Sequence, residues 1–260
     1  MRYLVLAALA VLAAACATSP LGRSQLMLVS DESIAKQGIT SFQQMQKELP
    51  QSSNAQQTAY VQCISNAITR EIPNLKEKGK LYVPESWEVN LFDSKDVNAF
   101  ALPGGKIGVF SGMLKVATTP DQLGAVIGHE VSHVLARHSQ ERASANIPAQ
   151  VGGVVAGAAG YGQLYGLGVS SLFLLPYSRA HETEADLLGL DLMASAGFDP
   201  RQSIQLWQNM SKQGGGAPPE ILSTHPSDET RIGALVERLP TALPLYNAAV
   251  AAGKKPKCHT

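Results

Sequence analysis

Thr119-Pro120-Asp121-Gln122, running on through Gly128-His129-Glu130-Val131-Ser132-His133, is the stretch whose reading decides the fold. Thr119 is a natural N-cap, Pro120 suits the first helical position, and Gln122 stands three residues after the cap where it can bond back. The pattern predicts a helix from Thr119 to about Ser144. His129-Glu130-Val131-Ser132-His133 is HExxH, and it falls inside that helix. Residues four apart differ by about 40° around a helix axis, so the two imidazoles converge on one point. Glu130 projects beside them, where it can take a proton from a water held there. That pattern points to a metal-assisted hydrolysis, with zinc the metal such a pair of histidines suits.

A catalytic zinc takes three protein ligands and keeps a further position open. His138 lies five residues beyond His133, about 140° around the same helix, and is expected to point elsewhere. An extension of the motif to HExxHxxGxxH fails, because its Gly and third His would fall at Ala136 and Ser139. Arg179-Ala180-His181-Glu182-Thr183-Glu184-Ala185-Asp186 opens another helix, with Glu182 and Asp186 four apart on one face. Glu182 is expected to complete the metal site, and Asp186 to take the free ring N–H of one histidine and fix its tautomer. Glu184 points to another face of that helix.

Outward from this centre the chain reads as one catalytic domain, over residues 26–245. Ser30-Asp31-Glu32 opens a helical pattern ending near Pro50, and a second runs from about Asn54 to Arg70. Alternation over Trp87 to Phe92, and Pro103-Gly104-Gly105 within Ala99 to Phe110, predict strands joined by a tight turn. Further helices are expected from Glu182 to Ala196, from Pro200 to Lys212, and from about Pro226 to Leu239, closed by Pro240. The expected class is therefore α+β, mostly helical, with a small sheet flanking the HExxH helix. Residues 246–260 read as a C-terminal tail.

Lys plus Arg and Asp plus Glu both number 21, so no overall field favours nucleic acid, and no nucleic-acid partner is expected. Met1-Arg2, the apolar run Tyr3 to Ala15 and the small residues before Cys16 have the layout of a secretory signal peptide over 1–15. Leu12-Ala13-Ala14-Ala15-Cys16 is similar to a bacterial lipobox, although Ala13 stands where Leu is usual. Cys16 would then carry lipid, residues 16–25 would form a polar tether, and the membrane would be a partner through that anchor. Cys63 and Cys258 remain as a disulfide in an oxidising compartment or as two thiols. The uncharged, Gly- and Ala-rich stretch around residues 147 to 177 is long enough to span a bilayer. Its glycines favour instead a pair of segments lying over the active site.

Gly128 to His133, Ser178-Arg179, and Glu182 to Asp186 together resemble metallopeptidase family forty-eight, in particular its small bacterial lipoprotein members. The resemblance extends from Val97-Asn98-Ala99-Phe100-Ala101-Leu102-Pro103 to Thr224-His225-Pro226. It implies a gluzincin-like zinc endopeptidase domain with ligands His129, His133 and Glu182 and catalytic Glu130. Asn98, Ala99 and Phe100 would form an edge strand beside which an extended substrate lies. His225 matches a histidine that can approach the zinc and regulate it, or it stabilises an oxyanion, or it caps the next helix. Arg231 is a candidate for the same locale. The implied substrates are misfolded or misassembled envelope proteins, met at the periplasmic face of the outer membrane. Two rivals remain: a factor that holds unfolded proteins with the zinc site latent, and a zinc hydrolase acting on a non-peptide bond.

Overall fold

The computed structural model describes residues 16–75, 81–146, 177–212, 221, 225 and 229–259. The expected signal peptide and nearly all of the Gly/Ala-rich stretch lie outside the described residues. The fold is α+β. A hairpin of β1 (Cys16–Thr18) and β2 (Ser24–Leu26) precedes helices α1 (Asp31–Glu48), α2 (Ala55–Thr69) and the single turn α3 (Ile72–Leu75). Strands β3 (Glu88–Phe92), β4 (Ala99–Leu102) and β5 (Lys106–Phe110) follow, then a 3-10 turn over Ser111–Lys115. Helix α4 spans Pro120–Leu135, α5 spans 138–146, and α6 (Arg179–Ser195), α7 (Arg201–Lys212) and α8 (Glu229–Ala251) follow among the described residues.

The sheet has order β3-β5-β4, with β3 parallel and β4 antiparallel to β5. Gly104 and Gly105 turn β4 into β5 with φ of 86° and 77°, a region that costs glycine little and other residues strain. β4 is thus an edge strand, and it packs beside α4. Ala99 and Ala101 face the main core with Ile64, Val109 and Ile127, while Phe100 packs with Phe42, Phe92 and Phe110 in a second cluster.

Helix α4 is the centre of the molecule, buried from Gln122 to Leu135. Ser30, Asn54, Thr119 and Ser178 each cap a helix through the side-chain oxygen, Ser30 and Thr119 as the sequence pattern implies. α4 crosses α6 at two glycines. A Cβ on Gly128 would lie 2.9 Å from the Gly189 carbonyl oxygen, and one on Gly189 would lie 2.8 Å from the Gly128 carbonyl carbon. The two backbones therefore touch, which brings the acids of α6 up to the histidines of α4.

Four readings of the sequence need correction. The helix begun at Thr119 does not reach Ser144 unbroken: it stops at Leu135, Arg137 adopts φ 58°, and α5 starts afresh. A non-glycine residue in that conformation costs roughly 1–2 kcal/mol. It is held by a two-bond pair from Arg137 to Asp31, at 3.0 and 3.1 Å. Gln25 Nε2 also donates to the Ala136 carbonyl at 2.8 Å, capping the end of α4. Residues 16–25, read as a tether, instead hold β1, the turn and most of the hairpin with β2. Pro240 does not close the last helix, which runs to Ala251 with Pro240 and Pro244 inside it. Both prolines are exposed, so the carbonyls they leave without an N–H partner face water, which lowers the usual cost. The boundary at 245/246 thus falls within α8, and the chain beyond it folds back so that Cys258 joins Cys63 in a disulfide.

Gly189→Ala forces α4 and α6 apart, because neither backbone can move aside cheaply. The expected loss is about 1–3 kcal/mol of folding stability, read from urea unfolding, together with weaker zinc binding. A variant with wild-type stability and zinc affinity would show that the crossing does not set the site.

Candidate metal centre

Three separated stretches meet over α4. His129 and His133 rise from its buried face, Glu182 comes from the first turn of α6, and His225 from the segment before α8. Zinc–nitrogen bonds of 2.0–2.1 Å place tetrahedral donors about 3.3 Å apart. His129 Nε2 lies 3.0 Å from His133 Nε2, 3.2 Å from His225 Nδ1 and 3.5 Å from Glu182 Oε2. Glu182 Oε1 lies 3.5 Å from His133 Nε2 and 3.0 Å from His225 Nδ1. Lone-pair atoms are thus gathered at the spacing of a tetrahedron's edges, all four residues are buried, and the set fits zinc. His225 occupies the fourth corner, which a hydrolytic zinc site keeps for water or substrate.

The carboxyl of Glu130 is buried beside this cluster. Among the described residues its Oε1 has no hydrogen-bond partner, and it lies 3.5 Å from His225 Nε2. Burial pushes its pKa up, the direction that brings a carboxylate toward work as a general base near neutral pH.

Asp186 and Arg231 brace His129 from behind. With Nε2 of His129 turned to the cluster, its Nδ1–H donates to Asp186 Oδ1 at 2.9 Å. Arg231 donates to Asp186 from Nε at 2.7 Å and from Nη2 at 2.8 Å. Its Nη1 lies 2.8 Å from Glu182 Oε2, and its guanidinium stacks 4.0 Å over Trp207. Burial alone would raise the Asp186 carboxyl, but the adjoining guanidinium outweighs it and holds the group low. Burial likewise lowers His129, but hydrogen bonds to Asp186 and Glu182 outweigh it and lift that imidazole to about 10. The negative charge that does so draws a proton or a metal cation alike, so metal uptake there releases protons.

All the residues singled out from the sequence can be placed. His129, His133, Glu182 and His225 form the cluster, Glu130 and Asp186 touch it, and Arg231 links Asp186 to Glu182. Ala99 and Phe100 lie on β4 and Asn98 immediately precedes it, but the Phe100 ring is turned into the aromatic cluster, leaving backbone alone to meet a strand there. Cys16 is exposed on β1. His138 stands outside the donor cluster, as expected, but it does not point away from the site: the break at Arg137 swings it back, fully buried, to 2.9 Å from His133. Glu184, set aside as facing another way, is its partner at 3.1 Å. Sequence reasoning also missed Tyr177, whose ring stacks on His133 with centroids 4.0 Å apart. Nothing local to either residue signals its place.

Residues 55–239 match Peptidase family M48, well over half of the chain. The chain belongs to that family. M48 peptidases are zinc-dependent, in agreement with the donor set. The chain is 44% identical over 147 residues to the mitochondrial metalloendopeptidase OMA1 of Arabidopsis thaliana, covering 56% of this chain and 30% of that one. It is 31% identical over 244 residues to the mitochondrial metalloendopeptidase OMA1 of Bos taurus, covering 85% and 45% respectively. It is 30% identical over 156 residues to the beta-barrel assembly-enhancing protease of Escherichia coli strain K12, covering 55% and 32%. The chain therefore spans less than half the length of each of these relatives.

Glu184 gives a test by pH. Burial pushes its carboxyl up, but the hydrogen bond from His138 and further donors outweigh this and hold it at about 2, against about 4.3 unfolded. Its stabilisation is fully present above the unfolded value and is lost as pH falls through the folded one. Urea unfolding from pH 6 down to 2 should show stability declining below about pH 4.3, with a shallower decline in Glu184→Gln. Equal slopes in the two proteins would contradict the assignment.

Proposed function

We propose that this chain is a zinc endopeptidase of the cell envelope that cleaves misfolded or misassembled envelope proteins. The observation that carries the peptidase reading is the tetrahedral spacing of the donors with the buried Glu130 carboxylate against them. His129, His133 and Glu182 would hold the zinc, which when bound would supply Lewis acidity. Glu130 accepts the proton of the attacking water and returns it to the leaving amine, so no covalent intermediate forms on the protein. Asp186 and Arg231 hold the His129 ring in the tautomer that presents Nε2. The outer edge of β4 offers backbone N–H and C=O groups with which an extended substrate can pair.

His225 must yield its corner for this to happen, so turnover depends on its displacement. The same feature favours a second reading, in which the four donors keep the site latent and the protein holds unfolded partners without cutting them. The envelope setting is supported by the signal-peptide pattern before Cys16 and by the Cys63–Cys258 disulfide, which suits an oxidising compartment. A lipid on Cys16 would tether the domain to a membrane, proposed as the periplasmic face of the outer membrane. Among the described residues no helix is long and apolar enough to cross a membrane. The relative named for assembly of beta-barrels supports the choice of substrate.

Cleavage of unfolded casein should fall in Glu130→Gln by at least about 100-fold, with zinc still bound stoichiometrically. His225→Ala should cleave faster than wild type. Turnover retained by Glu130→Gln would remove its assigned role, whereas zinc binding with no cleavage by wild type but cleavage by His225→Ala would favour the latent reading.

A further inference from the structure

The second zinc histidine is braced as His129 is, but from a distance. With Nε2 of His133 turned to the donor cluster, its Nδ1 carries the ring proton and donates to Nδ1 of His138 at 2.9 Å. His138 then donates from Nε2 to Glu184 Oε2 at 3.1 Å. Arg23, in the N-terminal hairpin, donates to that same carboxylate oxygen from Nε at 3.2 Å and from Nη2 at 3.0 Å. The Leu21 backbone N–H donates to Glu184 Oε1 at 3.1 Å. Arg23 also donates to both oxygens of Glu141, at 2.6 and 2.7 Å, and Glu141 faces His181 Nε2 at 3.2 Å. Gln25 donates to Glu141 and to the Ala136 carbonyl, so one hairpin holds both the acids and the helix break.

The polarity of this chain of bonds runs one way only. Glu184 can only accept, so His138 keeps its proton on Nε2 and offers a lone pair at Nδ1. His133 must then hold its proton on Nδ1 and present its own lone pair at Nε2, toward the metal. Were His138 to carry its proton on Nδ1, two N–H groups would meet head to head. Relief would move the His133 proton to Nε2, where it blocks coordination.

We infer that Arg23, Glu184 and His138 form a positioning relay for His133, which makes the N-terminal hairpin a working part of the metal site. This rests on the zinc reading above, with His133 as a ligand. Asp186 with Arg231 serves His129, and Glu184 with Arg23 serves His133. Both carboxylates come from one turn of α6 and both are clamped by an arginine from a distant part of the chain. His138 is needed as an intermediary because Glu184 hydrogen-bonds to it and not to His133.

The test is zinc affinity by competition with a chromophoric chelator at fixed pH, and the visible absorption spectrum of the cobalt-substituted protein, all on the full chain. His138→Phe removes the acceptor and should weaken zinc about 10- to 100-fold and alter the cobalt spectrum, with the far-ultraviolet circular dichroism unchanged. His138→Gln, whose amide oxygen can accept the same N–H, should recover part of the loss. Arg23→Met should weaken zinc in the wild-type background but add nothing to His138→Phe, and Arg23→Lys should fall between. Folded variants with wild-type affinity and spectrum would overturn the relay, and additive losses would overturn the hairpin's share in it. Should His138→Phe fail to fold, the two Arg23 variants at their partly exposed position decide the matter. If wild type binds no zinc, the metal reading fails and the relay with it; if wild type binds zinc and no variant differs, the relay alone fails.

Discussion

Helices α4 and α6 touch backbone to backbone at Gly128 and Gly189, and the geometry of the metal centre depends on that contact. An ordinary helix pair stands 8–10 Å apart axis to axis, with side chains between. With no side chain at the crossing, an acid one or two turns from Gly189 meets the histidine that follows Gly128 directly. Asp186 and Glu182 reach the His129 ring, and Glu184 reaches His138. The cap at Ser178 and the capped start of α4 at Thr119 set the register of the two helices, so the match is built in before any side chain reaches across.

The same closeness creates an electrostatic burden. Three acids are buried within two turns of one helix, and desolvation opposes the charge on each. Each is matched by cationic or hydrogen-bond-donating groups: Arg231 for Asp186 and Glu182, Arg23 and His138 for Glu184. The two arginines come from opposite ends of the described chain, and removing either strips a buried carboxylate of its permanently charged partner, which costs more than the pair itself is worth. The centre is therefore stabilised by the outer parts of the fold as much as by its own residues.

What was legible in the sequence was local. The N-caps, Pro120, the HExxH spacing and the Glu182/Asp186 spacing depend on residues a few places apart, and helix geometry converts them into position. What was not legible depends on contacts across the chain. Arg137 carries none of the usual marks of a left-handed residue, and its conformation is held by Asp31 and Gln25, over a hundred positions away. Since the reading of His138 assumed an unbroken helix, that one residue redirected it. Pro240 and Pro244 are strong breakers by composition, and only their exposure on one face of α8 explains why the helix continues. Cys63 and Cys258 could be paired only once the return of the chain after Ala251 was seen.

The donors of the metal centre are scattered along the chain: two near the middle, one about fifty residues later, and one some forty beyond that. An unfolded chain presents no such site, and HExxH alone supplies two ligands without the third. During synthesis, the long stretch holding His129 and His133 exists well before Glu182 and His225 can join it. The chain therefore cannot assemble its metal centre while it is still extended. Late assembly makes occupancy of the metal a report that the polypeptide has reached its native form.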